Sequence, residues 1–202
     1  VQDRGSITAL IVPKREVPNR LTPSQAQSLV ADGVVRLHGE PQADAVILAA
    51  TGAYQLGEVL RAEARLRAAG IAAGVVYVGE PGRLRSGRDR REAAYVLSEA
   101  ELMHHFPDAT PRVFLTHTRP EAYLGALRRI DTGPATTRAL GFINRGGTLD
   151  VPGLLFANRS TWAHVIAAAL AVLSLPDGTV LTQDERAALA GHGDPRVITR
   201  PS

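Results

Sequence analysis

The chain has 202 residues, of which 45% are hydrophobic and 21% charged, which is enough apolar side chain to bury one substantial core. Its formal net charge is only +3 and its aromatic content 4%, and the arginines do not alternate with stacking residues, so we expect no nucleic-acid partner. The sequence lacks cysteine, which excludes disulfides and sulfur-ligated metals and is typical of a cytoplasmic protein. The longest apolar run, residues 165–175, is too short to span a bilayer, so no membrane partner is expected.

Residues 1–40 are predicted to be the end of a preceding domain and a linker helix. Residues 7–12 form a short β-branched run closed by a proline, which is typical of a strand that ends in a turn. Thr22 and Gln25 flank a Pro-Ser pair and predict a capping box with proline at the first helical position, so a helix should run to about Gly33. Because Val1 opens the chain just before a strand, we expect a piece of a larger polypeptide.

Residues 41–175 are predicted to form the main domain. Apolar and β-branched runs predict strands at residues 45–50, 74–78, 112–116, 138–142 and 154–157. Helical spacing and capping boxes predict helices between them at about residues 56–66, 98–106, 121–129 and 162–173. This alternation predicts an α/β, three-layer domain with a mainly parallel five-stranded sheet. Residues 176–202 contain one more capping box and then Gly, Pro and Arg, and are expected to be a loosely held tail.

The motifs needed for a self-contained active site are missing from the sequence, so no catalytic residue is predicted for the chain in isolation. His104 and His105 are adjacent and would point about 100° apart on a helix, so no metal site is predicted. Ser160 has no Gly-x-Ser-x-Gly elbow around it and is interpreted as a helix N-cap.

Two basic features of the sequence are compatible with an anion-binding site. One is the glycine- and proline-rich stretch from residue 80 to 91, interpreted either as an exposed, solvated loop or as an anion or effector loop that uses Arg83, Arg85, Arg88, Arg90 and Arg91. The other is Lys14, which lies just after the predicted strand at residues 7–12 and is the single lysine of the sequence. From the residues alone, both remain either solvated cations or anion ligands.

Four segments, in order and at matching spacing, carry a resemblance to a known family. They are the strand, lysine and Leu-Thr stretch at 11–22, the apolar strand at 44–52, the short acidic helix and histidine-ended strand at 97–117, and a set of Gly, Thr, Asn and His positions between 141 and 164. They resemble the carboxy-terminal region of phosphoketolases, thiamine-diphosphate enzymes that split xylulose 5-phosphate or fructose 6-phosphate with phosphate to give acetyl phosphate. The chain departs from the family at Asn144 and Arg145, where the family has an acidic pair.

The resemblance implies a fold like the transketolase C-terminal domain and a parent carbon–carbon lyase, an aldehyde-lyase of carbohydrate metabolism. It implies that this piece supports the dimer and has a regulatory role, while thiamine diphosphate and Mg are bound by other domains and none is expected here. Lys14 matches a family lysine near the substrate phosphate, and further positions match without an assigned role: His117, Gly141, Thr148, Asn158 and His164. The implied partners are the rest of the parent polypeptide, a second copy in a homodimer, a sugar phosphate and phosphate.

Two other interpretations stay open. The chain is either the equivalent domain of another thiamine-diphosphate enzyme, such as transketolase or a 2-oxoacid dehydrogenase component, or a free-standing regulatory module that binds a small anion through the arginine-rich loop.

Overall fold

A computed structural model describes residues 16–143 and 146–200. The strands are β1 (Val34–His38), β2 (Val46–Thr51), β3 (Ala73–Val78), β4 (Arg112–Thr116) and β5 (Thr137–Leu140). The helices are α1 (Pro23–Asp32), α2 (Ala53–Ala68), α3 (Arg90–Ala93), α4 (Glu99–His105), α5 (Pro120–Ala126), α6 (Val151–Ala157), α7 (Trp162–Val172), α8 (Gln183–Leu189) and α9 (Arg196–Thr199). Short 3-10 turns occupy Pro81–Leu84 and Asp177–Thr179.

The strands form one sheet in the order β1-β3-β2-β4-β5. Strands β2 to β5 pair in parallel, and β1 pairs with β3 in the antiparallel direction. All six residues of β2 are buried, as expected for a central strand covered on both faces. The predicted mainly parallel five-stranded sheet is therefore confirmed.

Helices cover both faces of this sheet. Leu48 and Ala50 of β2 belong to a core shared with α2 and α7, whereas Ile47 and Ala49 belong to a core shared with α4 and α5. Because successive side chains of a strand point to opposite faces, one strand contributes to both cores. The three-layer prediction is confirmed, and so are the capping boxes that begin at Thr22, Ser98 and Thr182.

One predicted strand is wrong. Residues 154–157 lie in helix α6, which starts because the Asp150 side chain accepts a hydrogen bond from the N–H of Gly153 at 2.9 Å and a proline occupies its first turn. A run of four apolar residues suits either a strand or a buried helical turn, and its length cannot separate the two.

The fifth strand of the sheet is instead β1, within the stretch predicted as the end of a preceding domain and linker. Val34 and Val35 are buried, and β1 completes the sheet along β3, so residues 34–38 belong to the main domain. The strand predicted at residues 7–12 lies outside the described residues.

The expectation of a loosely held tail is also wrong where the structure describes it. Leu181, Ala188 and Ile198 are buried in the same core as α7. Both carboxylate oxygens of Glu185 accept hydrogen bonds of 3.0 Å from the guanidinium of Arg65 on α2. The glycine and proline content of this segment had predicted a loose tail, but three of its apolar residues pack into the core. No helix in the described part of the chain is both long and apolar enough to cross a membrane.

Candidate functional site

The carboxyl ends of β2, β4 and β5 meet at one edge of the sheet, the edge at which open α/β sheets bind ligands. His117 directly follows β4, and its ring Nδ1 lies 3.1 Å from the carbonyl oxygen of Thr51 at the end of β2. A carbonyl oxygen can only accept, so Nδ1 is the donor in this contact. The two strand ends are thereby joined through the histidine ring.

Two glycines allow the chain to pack closely around His117. Gly52 has φ +110°, and a Cβ there would lie 3.1 Å from Nδ1 of His117. Gly141 follows β5, and a Cβ there would lie 2.4 Å from the carbonyl oxygen of Thr118. A side chain at residue 141 would therefore push the end of β5 away from the end of β4.

A cavity of about 160 Å³ opens between these strand ends, the start of α2 and helix α6. It is lined by Tyr54, Gln55, Thr116, His117, Phe142, Val151, Leu154, Leu155, Asn158 and Ser160. We call it the edge cavity.

Asn158 is one of the buried polar residues that shape the edge cavity. Its side-chain oxygen accepts a hydrogen bond of 2.7 Å from the N–H of Ile143, and its Nδ2 donates one of 2.9 Å to the carbonyl oxygen of Leu154. Ser160 donates to the carbonyl oxygen of Asn158 at 3.1 Å. The amide thus holds the segment after β5 against α6, and its polar atoms are used within the protein.

The chemistry of the edge cavity is limited by its lining. None of the described lining residues is Asp, Glu, Lys or Arg, so they do not supply a carboxylate pair, and the imidazole of His117 is the lining group best suited to proton transfer. Within residues 16–143 and 146–200, no three His, Cys, Asp or Glu side chains come together to hold a metal ion. The arrangement suits contact with an uncharged or apolar group.

Exposed apolar side chains surround the mouth of this cavity. They are Phe142, Ile143, Leu149 and Leu154, each 38 to 45% exposed. Phe142 and Leu154 also line the cavity, and with Leu149 they line a smaller neighbouring one. A cluster of exposed apolar side chains is typical of a surface that contacts protein. We call these four residues the apolar rim.

The structure brings together three of the five family-matching positions, His117, Gly141 and Asn158. His164 does not line the edge cavity, and its Nδ1 is 2.8 Å from the hydroxyl of Thr161. Burial, aided by the charge of Arg159, lowers the pKa of His164 to about 4. Thr148 is exposed in the loop before α6, and Lys14 lies outside the described residues.

The arginine-rich stretch is more ordered than an open loop, because it contains the first 3-10 turn and helix α3. Arg83 donates to Glu80 at 2.9 Å, and Arg85 and Arg88 both donate to Glu92. Arg88 and then Arg85 hold the pKa of Glu92 well below its usual range. Arg90 and Arg91 have no carboxylate partner among the described residues.

Sequence reasoning missed several members of the site. Tyr54 and Gln55 in the first turn of α2 line the edge cavity, and their position just after a strand end was the available signal. Ser160 was interpreted as the N-cap of α7, but the N-cap is Thr161. Ser160 lines the cavity instead.

No protein-family model matches the chain, and no curated protein matches it. Among solved structures, transketolase from Leishmania mexicana matches with a TM-score of 0.54 at 12% identity, over 79% of this chain and 21% of that one. Transketolase from Pichia stipitis in complex with sedoheptulose 7-phosphate matches with a TM-score of 0.52 at 17% identity, over 76% of this chain and 20% of that one.

At these identities the similarity shows the fold. The chain is an α/β domain with the fold of the transketolase C-terminal domain. It spans about one fifth of the length of the transketolases that it matches.

Proposed function

We propose that this chain is the C-terminal domain of a thiamine-diphosphate enzyme of the phosphoketolase class, which cleaves a ketose phosphate with inorganic phosphate to acetyl phosphate. The observation that carries the proposal is the transketolase-like fold, in which His117, Gly141 and Asn158 meet around one cavity. The same three residues are among the positions at which the sequence resembles the phosphoketolases.

In this proposal the domain supports the enzyme and does not itself catalyse. The apolar rim is the surface that would pack against the remainder of the parent polypeptide or against the second copy in a homodimer. Burial of exposed apolar area in such an interface is favourable by about 25 cal/mol per Å².

The cofactor is assigned to other domains of the parent. When bound, thiamine diphosphate would supply the electron sink for carbon–carbon cleavage. The described lining of the edge cavity has no cation for a diphosphate and no carboxylate for Mg²⁺, so it does not fit the group. In the enzyme, His117 and Asn158 would fix the shape of the domain edge that faces the cofactor-binding domains.

The choice of phosphoketolase over transketolase rests on the four collinear segments and not on the fold, which suits both enzymes. The sequence departs from that family at Asn144 and Arg145, so the substrate of the parent enzyme is part of what the test below must establish.

The test begins with the reading frame that contains the codon for Val1. We expect it to encode, upstream, a Gly-Asp-Gly motif and a catalytic glutamate. The full-length protein should then form acetyl phosphate from xylulose 5-phosphate in a phosphate-dependent reaction. Transfer of the two-carbon unit to ribose 5-phosphate, independent of phosphate, would assign the enzyme to the transketolases, and a frame without the upstream motif would overturn both assignments.

A further inference from the structure

A second concave surface lies between β5, α7 and α8, and its lining shares no residue with that of the edge cavity. It is an open groove of about 600 Å³, and the residues that matter for its chemistry are Arg138, Arg159, His164, Ala168, Asp177 and Arg186. Further alanine and leucine side chains complete its floor. We call it the arginine groove.

The three guanidinium groups of the arginine groove have no ion pair among the described residues. Elsewhere in the described chain, arginines pair with carboxylates, as in the contact of 2.5 Å between Arg36 and Asp44. Arg138 makes only a hydrogen bond of 3.4 Å to the carbonyl oxygen of Thr137. The lining of the groove thus contains three arginines and one carboxylate, that of Asp177.

Arg159 is also held in an unusual backbone conformation. Its φ is +53°, in the left-handed region that favours glycine, at the turn that joins α6 to α7. The neighbouring His164 is neutral at physiological pH, so it adds a hydrogen-bonding group to the groove without a further charge. Strain of this kind at a charged residue, in a concave surface, is a recurring feature of ligand sites.

We propose that the arginine groove binds a phosphate-bearing metabolite, with the anion held by Arg138, Arg159 and Arg186 and its apolar portion on the alanine floor around Ala168. Guanidinium groups bind phosphate oxygens through paired hydrogen bonds, and the groove is within the size range of small-molecule sites. This inference goes beyond the proposed function, because the site needs neither thiamine chemistry nor the apolar rim.

The experiment uses the 202-residue chain and isothermal titration calorimetry with inorganic pyrophosphate at constant ionic strength. We expect saturable binding that weakens at least tenfold in Arg186→Gln. The matched control is Arg91→Gln, which removes one exposed, carboxylate-free arginine from α3 and should bind as the wild type does. Wild-type protein without saturable heat, or an equal loss of affinity in the control, would overturn the proposal.

A second variant separates loss of binding from loss of folding. Arg159→Gly removes the charge and also relieves the left-handed backbone, so its Tm should equal or exceed that of the wild type while pyrophosphate binding falls at least tenfold. Ser174→Gly is the control, because Ser174 has φ +56° and lies outside the groove lining, so this variant should keep full affinity. Wild-type affinity in Arg159→Gly would contradict the assignment. Neither readout involves enzyme activity, so this test fails or succeeds independently of the proposed function.

Discussion

The carboxylate of Glu58 on α2 accepts a hydrogen bond of 2.7 Å from the backbone N–H of Trp162, the first residue of α7. The N-cap residue Thr161 makes no capping bond with its own side chain, which lies against His164 instead. A side chain from a neighbouring helix therefore satisfies one of the free N–H groups at the start of the most apolar helix of the core. This contact fixes α2 and α7 to each other on one face of the sheet.

Removing this acceptor should destabilise the domain. We expect Glu58→Ala to lower the free energy of unfolding by about 1–2 kcal/mol, the usual cost of a lost helix cap, and Glu58→Gln to lose less because its amide oxygen still accepts. Urea unfolding measures both. If the alanine and glutamine variants were equally stable, the hydrogen bond would not be the source of the effect.

The pH dependence of the same pair has a defined sign. Burial raises the pKa of Glu58, against the opposing effects of the Trp162 N–H, Arg61 and Arg20. The folded state therefore holds this proton more tightly than the unfolded state does, so wild-type stability relative to Glu58→Gln should fall as pH rises above about 4.5. Urea unfolding of both proteins at pH 4.5 and at pH 7 measures the difference between their free energies of unfolding. The same difference at both pH values would contradict the prediction.

Arg112 is a fully buried cation that is held by carbonyl oxygens. Its guanidinium donates to five backbone carbonyls, those of Phe106, Pro107, Asp108, Thr110 and Ile130, and so fixes the segments before and beside β4. Lysine carries the same charge but cannot reach this set of acceptors. We expect Arg112→Lys to lower the free energy of unfolding by about 2–4 kcal/mol, while Arg128→Lys on the exposed surface should change it by less than about 0.5 kcal/mol.

The sequence was sufficient to predict the three layers of this fold, but it did not predict the edge strand of the sheet. The continuous apolar run of β2 and the capping boxes at Thr22 and Ser98 are local signals, and the structure confirms them. The edge strand β1 mixes valines with Arg36 and His38, and its pairing with β3 depends on residues about 40 positions away. Contacts at that separation leave no local pattern.

The sequence likewise predicts one part of the candidate sites and not another. His117 and Gly141 follow strand ends, so a parallel sheet alone predicts that they meet. The arginine groove joins Arg138, Arg159 and Arg186 from three separate elements, and only the packing of α8 on α7 brings the last of them into place. The arginine-rich stretch at residues 80–91 is conspicuous in the sequence, but Glu80 and Glu92 partly neutralise its charge. The arginines of the groove, by contrast, are far apart in the sequence and close in the fold.

Two half-buried histidines should make the protein sensitive to mild acid. Burial lowers the pKa of His105 and of His164 to about 4, helped by His104 in the first case and Arg159 in the second. The unfolded chain takes up these protons near pH 6.5, so unfolding becomes easier as pH falls from about 6.5 to 4.5. We expect His164→Asn to reduce this loss by about 1–3 kcal/mol over that range. His192→Asn, at an exposed position, should leave the profile unchanged.

Gly141 tests whether the close approach of β4 and β5 maintains the edge cavity. In Gly141→Ala the new methyl group would meet the carbonyl oxygen of Thr118, a backbone atom that cannot rotate away, so we expect a loss of about 1–3 kcal/mol in the free energy of unfolding. Gly125→Ala is the matched control, because nothing lies within 4 Å of its Cβ position in α5, and helix propensity should make it more stable by about 0.5–1 kcal/mol. Thermal unfolding gives both values. If Gly141→Ala were as stable as the control, the strand ends would have to move apart freely, and the cavity that they enclose would not be a fixed feature of the domain.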